Sequence, residues 1–141
     1  GMASAKILPA AVSKPVSVDF ASEADEDKFT LHEGAFLDDV DGTRALRINM
    51  DGPHAKIPVN ISPLAMPTCS LCMWVKLASI PNARGWIVGN EETGYDRTIL
   101  LHDNRFGGSV ASAIGKEWRS NLGAPPLGQW FHVVAVFRRE S

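Results

Sequence analysis

The run from Cys69 to Asn90, CSLCMWVKLASIPNARGWIVGN, constrains the fold more than any other stretch of this chain. Its first half alternates. Cys69, Leu71, Met73 and Val75 fall on one side of an extended backbone, and Cys72, Trp74 and Lys76 on the other. A connection carrying Pro81 and Gly85 follows, and a second apolar run, Trp86–Ile87–Val88, closes what reads as a β-hairpin. A tryptophan on the second face implies that this face is covered as well. Strands covered on both sides belong inside a stack, so the stretch predicts a sandwich of two sheets rather than one sheet with a wet face.

The rest of the chain supports an all-β reading. Val16, Val18 and Phe20 alternate as a short strand, the acidic ASEADEDK reads as a surface loop, and FTLHEGAFL (29–37) reads as a strand interrupted at Gly34. Asp41–Gly42 marks a tight turn, after which Leu46, Ile48 and Met50 alternate with polar residues. An extended segment resumes over Ala55 to Ile61, and Pro63 and Pro67 bracket a linker that cannot be helical. Beyond the central run, NEETGYDR (90–97) is a polar loop, TILLH (98–102) a strand and DNRFGG (103–108) a turn. Residues 109–114 are weakly strand-like, and 117–121 contain Trp118. After the rigid connection APPLG (124–128), QWFHVVAVFR (129–138) is apolar on both faces, as a central strand would be. No internal repeat and no capped helical period is present.

At 141 residues with 45% hydrophobic content, the chain fits one domain over residues 16–141 behind an Ala-, Ser- and Pro-rich arm over 1–15. A net charge of −2 with scattered Lys and Arg gives no electrostatic reason for a nucleic-acid partner or an anionic membrane. No run has the length of a membrane span, and the start GMASAKILPAAV lacks the form of a signal peptide. Gly1 ahead of Met2 reads as the remnant of a cleaved tag. Cys69 and Cys72 have C-x-x-C spacing, yet residues three apart on a strand face opposite ways, and His32, His54, His102 and His132 show no paired spacing that would complete a zinc site. Two buried, reduced thiols are the expectation, which fits a reducing compartment.

The segments SLCMWVKL, PNARGWIVGN, ILLHDNRFG and PLGQWFHVVAVF, in this order and spacing, resemble the laminin G-like jelly rolls of the concanavalin A-like lectin and glucanase superfamily. The upstream ALRINMDGPHAKIPV is similar to the family's early strand pair, with Met50 where an aromatic is more usual. The resemblance covers Val16 to the end and implies a two-sheet antiparallel jelly-roll sandwich. In that family a further hairpin and a closing strand follow the G-Q-W-x-H-V strand. This chain stops at Arg139–Glu140–Ser141, so the resemblance implies a sandwich lacking its last strands, with an open edge that invites self-association.

Chemistry is sparse. Glucanases of the superfamily carry E-x-D-x-E on one strand; the nearest match, Glu23 to Asp27, ends in Asp and lies in the acidic loop, where it reads as solvated surface. His132 shares a face with Trp130, Val134 and Val136 and reads as a satisfied core histidine, Trp74, Trp86 and Trp130 as core or half-buried sheet, and Gly107–Gly108 as a turn. No cofactor is expected. Calcium remains open, because Glu91, Glu92, Asp96, Asp103 and Asn104 offer loop oxygens, although without a fixed ligand ladder. For ligand contact the candidates are Tyr95, Asp96, Arg97, Trp118 and Arg119, aromatic and planar polar groups placed to stack on a sugar or grip a protein at one rim. The expectation is a non-catalytic recognition module for a glycan or a protein surface, within a larger protein. Its alternatives are an accessory domain of a glycan-processing enzyme and a structural interaction domain of an intracellular assembly.

Overall fold

The computed structural model describes residues 15–49, 52–63, 65–79, 85–90, 97–102, 105–112 and 115–138, with the side chains of 102, 106, 108–112 and 115–120 left aside. The chain is mostly β, and every ladder is antiparallel. It divides into two compact units, one ending at Val59 and one beginning at Asn60.

The first unit holds a 3-10 helix, Glu23–Lys28, and the strands β1 (Thr30–His32), β2 (Phe36–Val40), β3 (Thr43–Arg47) and β4 (His54–Lys56). The acidic stretch expected as a loop is this helix. Glu23, Asp25 and Glu26 occupy its first turn and Lys28 its last, the arrangement that suits the helix dipole. The strand expected over Val16–Phe20 does not form. The Asp19 carboxylate accepts from the Ala21 amide at 2.9 Å, and the Asp19 amide donates to Asp25 Oδ2 at 2.7 Å. This side-chain turn redirects the chain and lets Phe20 meet Phe29 edge to face at 5.0 Å.

β2 and β3 form a hairpin through Asp41 (φ 55°) and Gly42 (φ 84°), as the Asp-Gly pair predicts, because two left-handed residues match the twist of the strands. The strand expected to carry on through Ile48 ends at Arg47, and Ile48 is exposed. β1 pairs with β4, which sets His32 directly opposite His54.

In the second unit β5 (Thr68–Lys76) pairs over its full length with β10 (Trp130–Arg138). A separate four-stranded sheet runs in the order β6 (Gly85–Gly89), β7 (Arg97–His102), β8 (Arg105–Ser112), β9 (Gly115–Gly123). The two sheets contribute to one core: Val75, Val133, Ala135 and Phe137 from one, Ile99 and Leu101 from the other, with Leu71, Met73, Ile87 and Val88 packed against them.

The hairpin expected over Cys69–Asn90 is therefore corrected. Its two halves lie in different sheets, β5 beside β10 and β6 beside β7. Ladder length gives the reason: the nine-residue β10 satisfies all of β5, whereas the five-residue β6 would leave nearly half of its backbone groups unpaired. Gly107 and Gly108 are corrected as well. They belong to β8, opposite Leu100 and Ile99, and they lie where the β8–β9 register shifts. A glycine inside a strand marks such a bulge more often than a turn when both flanks are paired.

Candidate functional site

Burial sorts the β5–β10 pair by face. Cys69, Val75, Val133, Ala135 and Phe137 are buried, and the alternating residues are not. Trp74 is 66% exposed, Val134 48% and Val136 55%; Trp130 is exposed too. Among the described residues each of the two strands has a single ladder partner. The expectation that both faces of β5 and β10 are covered, with Trp74 in core or half-buried sheet, is overturned. His132 is likewise no core histidine: it lies exposed opposite Trp74 in the ladder, and the two rings meet at 5.1 Å, tilted by 47°. The expected pair of buried thiols splits the same way, with Cys69 buried and Cys72 exposed on this outer face.

The alternation itself was legible. What decides which side is wet is the position of the other sheet, whose Ile99 and Leu101 cover only the Val75 side. The result is a platform in which an indole, an imidazole and two valines stand on a strand pair backed by core.

Arg97 belongs to a different environment. Expected at a rim loop, it lies in β7 and is 1% exposed. Its Nη1 donates to the carbonyls of Ile61 (3.1 Å) and Met66, and its Nη2 to that of Pro67 at 2.9 Å. The segment that offers these oxygens is shaped locally: Asn60 Oδ1 accepts from the Ser62 amide and the Met66 amide donates to Ser62 O. Arg97 also bonds both ways with Asn90, whose Oδ1 accepts the Arg97 amide at 2.9 Å and whose own amide donates to Arg97 O at 3.2 Å. Burial lowers the Arg97 pKa from its ordinary value and raises that of Cys69; the electrostatic attraction between the two groups opposes both shifts. With its donors directed at main-chain oxygens inside the unit, Arg97 is a structural anchor, not a ligand contact.

Of the other candidates, Tyr95 and Asp96 lie outside the described residues, as do the calcium candidates Glu91, Glu92, Asp103 and Asn104. Trp118 and Arg119 sit within β9, Trp118 opposite Ser109, so their backbone is strand and not rim loop. Among the described residues no group of three or more His, Cys, Asp or Glu side chains converges as a metal cage. Two grooves among the described residues are shallow. One of about 150 Å³ runs between Leu122–Pro126 and Phe131–Val133, and one of about 290 Å³ lies by Val16, Lys28 and Pro58. Neither reaches the several hundred cubic ångströms that enclose a typical small ligand.

The Trp74–His132 platform is thus the described surface best suited to recognition; β5's alternation, with a tryptophan on its second face, is the signal that could have found it, although in the sequence it reads as the mark of a covered face. Comparison with models of known protein families, with curated proteins and with solved structures finds no match.

Proposed function

We propose that this chain is a non-catalytic recognition module of the laminin G-like jelly-roll type, which binds the surface of a protein or a glycan. The exposed Trp74 carries the reading. An indole left two-thirds in water on a strand, braced by His132 and sharing its face with Trp130, Val134 and Val136, is a preorganised contact with little conformational entropy to lose. Covering about 100 Å² of it would contribute about 2.5 kcal/mol. Surfaces of this kind recognise by area and stacking, in keeping with the shallow groove beside His132.

The test is a glycan array together with a protein-capture screen, each run with and without calcium on the wild type, Trp74→Ala and Tyr95→Ala. Trp74→Ala is expected to weaken whichever ligand is found by at least about tenfold. Loss with Tyr95→Ala while Trp74→Ala binds normally would move the site to the rim loops.

A further inference from the structure

His32 and His54 are 22 positions apart in the chain, and sequence spacing gives no reason to pair them. The β1–β4 ladder sets them opposite each other, with ring centroids 5.1 Å apart and planes within 13° of parallel. Each ring has one nitrogen committed to an oxygen. His54 Nδ1 lies 2.6 Å from the Gly52 carbonyl. A carbonyl only accepts, so Nδ1 carries the proton and neutral His54 holds its lone pair on Nε2. His32 Nε2 lies 2.7 Å from Thr30 Oγ1, a hydroxyl that can serve as donor or acceptor and so fits either tautomer.

The surroundings are built to the same end. Glu33, a non-glycine residue at φ 55°, follows β1 in a left-handed turn that brings its Oε2 to 3.7 Å from His54 Nδ1. Gly52 approaches so closely that a Cβ there would stand 3.2 Å from that carboxylate oxygen. An imidazole whose second nitrogen is tied to a carbonyl or carboxylate is the form in which histidine ligates metals, because the outer oxygen fixes the tautomer and raises the basicity of the free nitrogen.

From this geometry we infer that His32 and His54 form a two-imidazole site for a borderline divalent transition cation of the zinc and nickel class, with Glu33 and the Gly52 carbonyl as its outer oxygens. The cation takes one lone pair from each ring, and water fills the remaining positions, since no third described side chain converges there. Lone pairs lie in the ring plane, so stacked rings cannot both point at one ion. Binding therefore turns the His32 ring about χ2, away from Thr30, while His54 keeps its bond to the Gly52 carbonyl, and the stack is broken. The inference stands apart from the recognition platform and does not depend on it.

The test titrates the full chain, in a Cys72→Ser background that removes the exposed thiol as a competing ligand, with Zn²⁺ and with Ni²⁺ by calorimetry, while side-chain NMR follows the imidazoles. One cation per chain is expected, with the His32 and His54 resonances shifting together. His32→Ala and His54→Ala should each weaken binding at least about tenfold, and Glu33→Gln by a smaller factor, while His132→Ala leaves it unchanged. If either alanine variant fails to fold, Glu33→Gln and the wild-type resonances still decide the matter. Saturation that persists in the His32→Ala/His54→Ala double variant, shifts confined to other histidines, or no saturable binding up to about 1 mM cation overturns the site.

Discussion

Arg97 shows how one buried side chain can set the geometry of a unit. Its guanidinium reaches three main-chain carbonyls 30 to 36 positions earlier in the chain, and its backbone closes the β6–β7 connection onto Asn90. A charged donor in such a place is worth more than a neutral one, and its removal strands the acceptors without water. Arg97→Met is therefore expected to destabilise the second unit by about 3 kcal/mol or more, read as a lower urea midpoint by tryptophan fluorescence. A loss under about 1 kcal/mol would mean that water reaches the Ile61, Met66 and Pro67 carbonyls. Nothing in the string YDRTILL distinguishes this arginine from a solvated loop residue, since the carbonyls that hold it come from a distant segment. An arginine just ahead of the apolar run Ile99–Leu101, at the start of a strand, was the only available hint.

Among the elements, the 3-10 helix Glu23–Lys28 depends most directly on charge. Asp25 is held by Lys28 Nζ at 2.8 Å and by the Asp19 amide at 2.7 Å, and these bonds, that to Lys28 first, place its pKa below the ordinary 3.8. The sign follows from the depressed value. The carboxylate's contribution is complete above the ordinary carboxylate pKa, declines below it, and is gone once the pH has fallen through the lower folded-state value. Asp25→Asn should abolish that acid-dependent step, which NMR of the Asp19 and Ala21 amides through an acid titration would register; an identical titration in the variant would refute the assignment. Elements were legible where local chemistry governs them. Asp41–Gly42 predicted its hairpin because turn stereochemistry is local, and TILLH and QWFHVVAVFR predicted strands because their residues favour a pleated, buried surface. The acidic stretch was misread because its helix is held by Asp19, Lys28 and Ser17 outside any apolar period.

At the scale of the whole molecule the two cysteines report on the second unit without any new label. Cys72 is exposed, whereas Cys69 is 4% exposed, with a thiol pKa raised by burial. A disulfide reagent added to the native chain should modify Cys72 promptly and Cys69 only at the rate at which the core opens, a rate that rises with urea. Equal reactivity of both thiols would contradict the burial of the β5 inner face. Sequence alone determined that the chain is built of antiparallel strands, that Cys69 and Cys72 fall on opposite sides of β5, and that Asp41–Gly42 turns tightly, because period and turn chemistry act over a few neighbouring residues. Only the tertiary structure decided that β5 pairs with β10 rather than β6, that Trp74 and His132 face outward, that Arg97 is buried, and that His32 meets His54. Each of these depends on which distant segment occupies a ladder or covers a face, and the competition among such partners is settled by backbone hydrogen bonds and buried area summed over whole strands.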